Sequence, residues 1–173
     1  MTYTIRPASS ADIPALLDLH NWSIAELDGT WIEKPETLEG RTKWFNDRMA
    51  ADFPVLVAED AAGQVVGYAS YGTYRGRDGY DLTVEHSIYI YPHAQGHGLG
   101  RRFLDMLVDI ARERGKHMMV AIIDAQNRIS IVLHEKSGFV QGGALPQAGK
   151  KKGKWRDQVT LYLLLDDREA PGA

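Results

Sequence analysis

The sequence of 173 residues contains no cysteine. It therefore has no disulfide and no thiol nucleophile, and because structural zinc sites usually draw on cysteine, a bound metal is not expected. No apolar run approaches the roughly 18 to 20 residues that a membrane span requires, and residues 1–4 do not form a basic and apolar leader. We therefore expect a cytoplasmic protein that does not associate with membranes.

A broad excess of positive charge is also missing. The net charge is −3 and the isoelectric point is about 6.1, whereas a nucleic-acid-binding domain usually presents a basic face. The one basic cluster is Lys150, Lys151, Lys152 and Lys154, which lies among glycines. This composition predicts a solvated loop and no nucleic-acid partner.

The length favours a single domain. The chain is 44% apolar and 25% charged, which is enough apolar material for one core in a chain of this size. We expect one domain over residues 1–167 and a flexible C-terminal tail over residues 168–173.

The hydrophobic pattern predicts an α/β domain with the order β-α-α-β-β-β-α-β-α-β-β. Short turns between residues 55–59, 64–74 and 82–90 indicate three antiparallel strands. Residues 98–114 form a strongly amphipathic pattern typical of a helix. The other expected elements are a helix over residues 37–49, a strand over 118–123, a helix over 129–136, a short strand over 139–141 and a closing strand over 159–165. Together they predict a mixed, mostly antiparallel central sheet flanked by helices.

The most informative segment is a glycine-rich loop between a predicted strand and a predicted helix, containing Gly96, Gly98 and Gly100. Glycines allow the backbone to approach a ligand closely, and a helix N-terminus favours a phosphate group. The loop lacks the lysine of a P-loop, and Arg101 stands where a dinucleotide-binding fingerprint requires its third glycine. The loop therefore predicts a pyrophosphate site that is neither of these two types.

Two motifs carry a family resemblance. The pattern Gln95-x-x-Gly98-x-Gly100 resembles the acetyl-CoA signature of the GNAT N-acetyltransferases. The segment from Asn127 to Gly138-Phe139 is similar to a second block of that family, in which an asparagine precedes a helix that ends in Gly-Phe. Residues 83–90, 133–135 and 153–157 resemble the phosphinothricin and methionine sulfoximine acetyltransferase group. This resemblance implies a single-domain GNAT fold, acetyl-CoA as the acetyl donor, and a homodimer.

The resemblance also assigns the residues that hold acetyl-CoA. Backbone N–H groups of the glycine-rich loop would bind the pyrophosphate, the strand before the loop would face the pantetheine arm, and Asn127 would hydrogen-bond a pantetheine amide. Asn127 is equally suited to cap a helix. The expected acetyl-CoA residues are Ile88, Tyr89, Ile90, Gln95, Gly96, His97, Gly98, Leu99, Gly100, Arg101, Asn127 and Ser130.

Glu85 is the candidate general base. An amine substrate arrives as an ammonium ion, and a proton must leave before the nitrogen can attack a thioester. Burial would raise the pKa of a glutamate towards a useful value. The alternative is an exposed strand carboxylate on the face opposite Val84 and Ile88.

His134 is the second catalytic candidate. Many GNAT enzymes have a tyrosine at this position as the acid for the departing thiolate, whereas the phosphinothricin-type group has histidine. A neutral imidazole can accept or relay a proton near neutral pH. A structural histidine on a helix is an equal alternative, and Tyr89 and Tyr91 are weaker candidates for the acid.

The substrate site is expected at a hairpin loop and the strand after it. A guanidinium group holds a carboxylate through two parallel hydrogen bonds, so Arg75 and Arg77 are suited to an amino-acid substrate. A solvated turn is the alternative for this loop, and packing on the core is the alternative for Trp31. The expected substrate residues are Trp31, Arg75, Gly76, Arg77, Glu85, His86 and Ser87.

These features predict an N-acetyltransferase that acts on the primary amine of a small amino-acid-like molecule. Without a cysteine, no acyl-cysteine intermediate can form, which favours direct attack of the amine on the thioester in a ternary complex. Two alternatives remain open: acetylation of another amine, such as a polyamine, an aminoglycoside or a peptide terminus, and an acyl-CoA-binding sensor without turnover.

Overall fold

The computed structural model describes residues 2–171 and has the predicted order of elements. Its strands are β1 (Thr4–Pro7), β2 (Val55–Glu59), β3 (Val65–Thr73), β4 (Thr83–Ile90), β5 (Met118–Asp124), β6 (Val140–Lys151) and β7 (Lys154–Leu164). Its helices are α1 (Ile13–Glu26), α2 (Leu38–Ala50), α3 (Leu99–Glu113) and α4 (Arg128–Lys136).

All seven strands form one sheet in the order β1-β2-β3-β4-β5-β7-β6. Every neighbouring pair is antiparallel except β4 and β5, which are parallel. The prediction of a mixed, mostly antiparallel sheet is therefore confirmed. The parallel pair arises because α3 connects β4 to β5 as a crossover, as parallel neighbours require.

The parallel pair is short, and this shapes the molecule. β4 and β5 are paired only between Thr83–Glu85 and Met118–Val120. Beyond these residues the two strands part, although each continues to pair with its other neighbour, β3 or β7. The sheet therefore contains an opening in its middle, at the end of β4 that leads into the glycine-rich loop.

The core has two layers, one on each face of the sheet. α3 packs on one face through Phe103, Leu104 and Leu107, which are fully buried. α1 and α2 cover the other face, where Leu16 and Phe45 contact the strands. Side chains alternate between the two faces along each strand, so neighbouring residues of β4 face different layers.

The last two strands correct the prediction for the C-terminal third. In place of two short strands and a solvated lysine loop, β6 and β7 form a long hairpin of 12 and 11 residues. Its turn is Lys152-Gly153, both at positive φ, as a tight two-residue hairpin requires. Residues 140–148 are exposed, so β6 has no alternating apolar pattern that the sequence would reveal.

Residues 165–171, which follow β7, contain no helix or strand. Arg168 is tied to Asp166 and donates to the carbonyl of Gly115 at 3.1 Å, so the predicted tail is anchored at its first residue. Met1, Gly172 and Ala173, which belong to the predicted domain and tail, lie outside the described residues. Among residues 2–171, no helix is long and apolar enough to cross a membrane.

Candidate active site

A cleft of about 490 Å³ lies where β4 and β5 part. β4 and β5 form its two sides, and the segment between α1 and α2 and the start of α4 close its ends. It is lined by Leu27, Asp28, Gly29, Thr30, His86, Ser87, Ile88, Tyr89, Ala121, Ile122, Ile123, Asp124, Gln126, Asn127, Ser130, His134 and Arg156. The opening therefore brings polar groups from five elements of the fold to one place.

Alternation along β4 separates the two catalytic candidates. Ile88 packs with the α3 layer, whereas Tyr89 packs with the α1 and α2 layer. His86 shares the face of Ile88 and contacts α4, so Glu85 belongs to the opposite face, with Tyr89. Glu85 and His134 are thus on different sides of the sheet, and only His134 lines the cleft.

His86 and His134 form a pair of imidazoles. Their Nε2 atoms are 3.1 Å apart and the ring planes are nearly parallel, at 9°. The Nδ1 atom of His134 is 2.7 Å from the carbonyl oxygen of Ser130, one turn earlier in α4. Both rings also pack against Phe139 in a T-shaped arrangement. Burial lowers the pKa of both histidines, to about 3 for His86, so both are neutral near pH 7.

The start of α4 is built around Asn127. Its side chain accepts a hydrogen bond of 3.1 Å from the N–H of Ser130, which caps the helix. Asn127 and Ser130 also line the cleft, so the capping arrangement leaves Asn127 in position to meet a ligand. The capping role and the expected contact with acetyl-CoA are therefore compatible at this residue.

The glycine-rich loop has the backbone that an anion site needs. Gly96 and Gly98 adopt φ of 79° and 77°, and Gly98 is the N-cap of α3. The side chain of Gln95 donates to the carbonyl of Ile90 at 2.9 Å, which closes the loop. The first N–H groups of α3 lack partners within the helix. Gly100 lies beside the side chain of Leu133, and a Cβ at this position would be only 3.2 Å from Cδ2 of Leu133. The glycine therefore allows α3 to pack closely on α4.

The side chain of Arg101 is directed to protein groups. It pairs with Asp105 at 2.7 Å and donates to the carbonyl of Lys136 at 3.0 Å, which joins α3 to the end of α4. The expected contact of Arg101 with acetyl-CoA is through its backbone N–H, which these side-chain contacts do not involve. His97 packs against the ring of Tyr3 at 5.6 Å.

Glu85 is half-buried beside two guanidinium groups. Burial raises the pKa of Glu85, and the charges of Arg48 and Arg75 oppose this shift. Arg48 comes from α2 and lies against Gly72, the residue paired with Glu85 across β3 and β4. A Cβ atom at Gly72 would overlap the Arg48 guanidinium, so the glycine makes room for this cation. No local pattern in the sequence distinguishes Arg48 from a solvated cation.

The loop between β3 and β4 is exposed from Arg75 to Asp81. Arg75 stacks on Tyr74 and Tyr80, with 5.1 Å and 5.9 Å from its guanidinium carbon to the ring centroids. Gly76 and Arg77 are exposed and precede a short 3-10 turn at residues 78–80. Arg75 therefore has a defined position near Glu85, outside the cleft between β4 and β5.

Residues 27–34, which we call the strap, close one end of the cleft and are held by the β6–β7 hairpin. Lys151 is only 2% exposed, and its ammonium donates to the carbonyls of Ile24, at 2.6 Å, and of Ile32. The prediction that this lysine lies in a solvated loop is therefore wrong. Its neighbours Lys150, Lys152 and Lys154 are exposed, and only Lys151 points inward.

Arg156 and Trp31 add further links to the strap. Arg156 is 5% exposed and pairs with Asp28 of the strap and with Asp124 of β5. The indole N–H of Trp31 donates to Asp124 at 3.1 Å. The ring of Trp31 lies directly on Gly149 of β6. Trp31 therefore holds the wall of the cleft in place from outside the lining.

The Trp31–Gly149 contact gives a direct prediction. A Cβ at position 149 would overlap the indole ring, so Gly149→Ala is expected to displace the strap. The variant should lose about 1–3 kcal/mol of stability, as overpacking does. Amide hydrogen exchange in residues 27–34 should accelerate.

Gly143→Ala is the matched control, because it lies in the same strand and a Cβ there meets no atom within 4 Å. Thermal unfolding and hydrogen exchange of the two variants test whether the contact between Trp31 and Gly149 supports the strap. Equal behaviour of both variants would show that Trp31 does not support the strap.

Apart from Trp31, which packs on Gly149 outside the cleft lining, the sequence-predicted residues fall into three groups. The cleft brings together His86, Ser87, Ile88, Tyr89, Asn127, Ser130 and His134. Residues 95–101 form the helix start of α3, and Ile90 leads into them. Glu85 and the Arg75 loop lie on the face covered by α1 and α2. Sequence reasoning missed Arg48, Asp124, Lys151 and Arg156.

Metal ligation has no support in the described part of the chain. Among residues 2–171, no group of three or more histidine, aspartate or glutamate side chains is placed to hold an ion. The two carboxylates of the cleft lining, Asp28 and Asp124, are paired with Arg156. The remaining polar groups are hydroxyl, amide and imidazole groups that suit an organic ligand.

The glycine-rich start of α3 and the cleft between two parting parallel strands define a transferase of the acyl-CoA-dependent class. The chain belongs to the GNAT acetyltransferase family, because residues 16–139 match the Acetyltransferase (GNAT) family. The resemblance noted in the sequence is thereby confirmed, as are the single-domain GNAT fold and the assignment as an N-acetyltransferase.

The chain is similar to several known acetyltransferases. An L-methionine sulfoximine/L-methionine sulfone acetyltransferase from Pseudomonas aeruginosa is 44% identical over 99% of this chain and 100% of its own length. A phosphinothricin N-acetyltransferase from Streptomyces viridochromogenes is 36% identical over 88% of this chain and 82% of its own. The solved structure of an acetyltransferase from Salmonella typhimurium with its cofactor acetyl-CoA has a TM-score of 0.95 and 42% identity, and covers 100% of this chain and 99% of that one.

Proposed function

We propose that this enzyme acetylates the primary amine of a small amino-acid-like substrate of the methionine sulfoximine, methionine sulfone or phosphinothricin type. The amine attacks acetyl-CoA directly in a ternary complex. The observation that carries the proposal is the cleft, which places Asn127, Ser130 and the two histidines around one opening between β4 and β5. The names of the Pseudomonas and Streptomyces relatives support the substrate class.

Acetyl-CoA enters as the acetyl donor. The N–H groups of residues 96–101 hold its pyrophosphate, since the left-handed glycines and the helix start favour an anion there. The pantetheine arm follows β4 at Ile88 and Tyr89 towards Asn127 and Ser130. The thioester then lies in the opening of the sheet.

Glu85 accepts the proton of the incoming ammonium ion, directly or through a water molecule. Its half-buried position supports this role, because burial raises the pKa of the carboxyl towards the working pH. Arg75 lies close enough to influence Glu85 and presents a guanidinium that suits the substrate carboxylate. Arg77 belongs to the same exposed loop and supplies a second positive charge.

The chain assembles as a homodimer in the cytoplasm. β6 is an edge strand, and apolar side chains near this edge are exposed: Val140 at 55%, Leu145 at 56% and Trp155 at 67%. An exposed edge strand with apolar groups is usually covered by a partner. Sedimentation velocity tests this, and a species of 19.3 kDa at micromolar concentration would contradict it.

Release of free thiol from acetyl-CoA tests the substrate class. The panel contains methionine sulfoximine, methionine sulfone, phosphinothricin, a polyamine, an aminoglycoside and a short peptide. We expect fast release with the first three, because they combine an amine, a carboxylate and a polar tetrahedral head group. Release only with the last three would keep the acetyl transfer and overturn the substrate class. Tight acetyl-CoA binding without release would indicate a sensor.

A further inference from the structure

The hydrogen atoms of the His86–His134 pair follow from its contacts. A carbonyl oxygen only accepts, so the Nδ1 atom of His134, 2.7 Å from the Ser130 carbonyl, carries a hydrogen. A neutral imidazole has one N–H, so the Nε2 atom of His134 is a lone pair. That lone pair is 3.1 Å from Nε2 of His86, which must therefore carry the hydrogen of this contact. The Nδ1 atom of His86 is left as a lone pair.

This lone pair is the one site of the pair that is not already used. The Nδ1 atom of His86 is buried without a hydrogen-bond partner among residues 2–171, and His86 is 8% exposed in the wall of the cleft. Both nitrogens of His134 are engaged. A buried acceptor without a partner is unfavourable, so a donor brought by a substrate or by a bridging water would be bound favourably.

We propose that His86 and His134 act as one proton shuttle that is entered at Nδ1 of His86. The inference rests on the proposed acetyl transfer and assigns a role to His86 within it. In the resting state no N–H of the pair is free to protonate a thiolate. The pair must therefore accept a proton first and donate it afterwards.

The proton balance is as follows. Glu85 takes the first proton from the ammonium ion, and the free amine adds to the thioester carbonyl. The nitrogen of this addition intermediate is then positively charged and gives a proton to Nδ1 of His86, while the hydrogen on Nε2 of His86 moves to Nε2 of His134. As the carbon–sulfur bond breaks, the same two transfers run in reverse and the sulfur receives the proton. The products are an amide and a thiol, and Glu85 releases its proton to water.

The surroundings allow the histidine pair to hold this proton only briefly. Burial lowers the pKa of both rings, and His134 lowers the pKa of His86 further, so the protonated pair gives up the proton readily. The Ser130 carbonyl stabilises the charge on His134, and Phe139 contacts both rings in a T-shaped arrangement and carries no charge. Glu85 lies on the other face of β4, and Asp28 and Asp124 in the cleft lining are paired with Arg156.

Nitrogen-15 NMR of the ligand-free enzyme tests the hydrogen positions without any turnover. At pH 7 we expect a protonated Nδ1 and an unprotonated Nε2 on His134, and the reverse on His86. Spectra of His86→Gln and His134→Gln assign the signals among the six histidines. A hydrogen on Nδ1 of His86, or a doubly protonated ring at pH 7, would overturn the proposal.

Kinetics of the same variants test the shuttle. Each single variant is expected to lower kcat about 100-fold, as loss of a proton-transfer group does. The double variant should lose no more than either single variant, because the two rings act as a unit. The KM for acetyl-CoA should stay within about twofold, which a collapsed cleft would not allow. His117→Gln, at a half-buried pair with Asp166 away from the cleft lining, is the control and should keep full kcat.

The outcomes separate this proposal from the proposed function. If the wild type turns over and His86→Gln keeps more than about a third of kcat, the shuttle is wrong and the acetyl transfer stands. Such a decrease is far smaller than the one that loss of a proton-transfer group causes. If losses in the two single variants multiply in the double variant, the rings act separately and the shuttle is also wrong. If the wild type releases no thiol with any amine, both proposals fail, and this is visible before any variant is made.

Discussion

The Glu85→Gln variant is expected to lower kcat/KM for the amine by about 100- to 10,000-fold, the usual contribution of a positioned acid or base. Glutamine has nearly the shape of glutamate and cannot accept the proton. The carboxylate lies half-buried near Arg48 and Arg75, so the substitution also removes a negative charge that acts on both cations. Binding of acetyl-CoA should be unchanged, because its expected residues lie elsewhere.

The role of Glu85 as a base also predicts how kcat/KM depends on pH. Glu85 must be ionised to accept a proton, and its pKa is raised above the ordinary value of 4.5 by burial. The kcat/KM of the wild type should therefore rise with pH through a midpoint above that value. In Glu85→Gln this acidic limb should be absent. Arg48→Met should move the limb to still higher pH, because Arg48 opposes the rise in pKa.

Glu135→Gln is the matched control, since Glu135 is an exposed glutamate on α4. It should leave both kcat/KM and the pH profile unchanged. An acidic limb that persists in Glu85→Gln, or a loss of less than about 10-fold, well below the usual range, would show that Glu85 is not the base.

Arg156→Met is expected to have the largest effect on stability. Arg156 is 5% exposed, pairs with Asp28 and Asp124, and donates to Gln126 at 2.9 Å. Removing one partner of a buried ion pair costs about 3–5 kcal/mol, because the other charge stays buried without compensation. Here that charge is Asp124, which is also 5% exposed. For a chain of this size, Tm should fall by about 6–20 °C.

Lys43→Met provides the comparison, because Lys43 and Asp47 form an exposed pair one helical turn apart in α2. Such pairs contribute about 0.3–0.5 kcal/mol, so its Tm should barely change. Calorimetry of the two variants at pH 7 measures both. A similar Tm for Arg156→Met and the wild type would show that Asp124 is not dependent on Arg156.

Much of the fold was open to prediction because its elements carry strong patterns. α3 has one apolar face, and β2, β3 and β4 are short apolar runs joined by turns. The full length of β6 could not be predicted, because a strand exposed on both faces has no alternation to detect. For the same reason, the hairpin turn at Lys152-Gly153 could not be distinguished from a solvated lysine loop.

The site was only partly open to prediction, for geometric reasons. Local motifs identified the loop at Gly96 and Gly98 and the cap at Asn127, since their roles depend on neighbours in sequence. Arg48 and Lys151 act through partners far along the chain, and nothing local distinguishes them from solvated cations. The contact of His86 with His134 depends on how α4 packs on β4, 48 residues away.

The most direct test of the central claim is to incubate the enzyme with acetyl-CoA, first alone and then with methionine sulfoximine, and to measure the masses of the protein and of the product. Direct transfer predicts an unmodified protein in both samples and N-acetylated methionine sulfoximine only in the second. An acetylated protein in the first sample, or thiol release without an N-acetylated product in the second, would contradict the account.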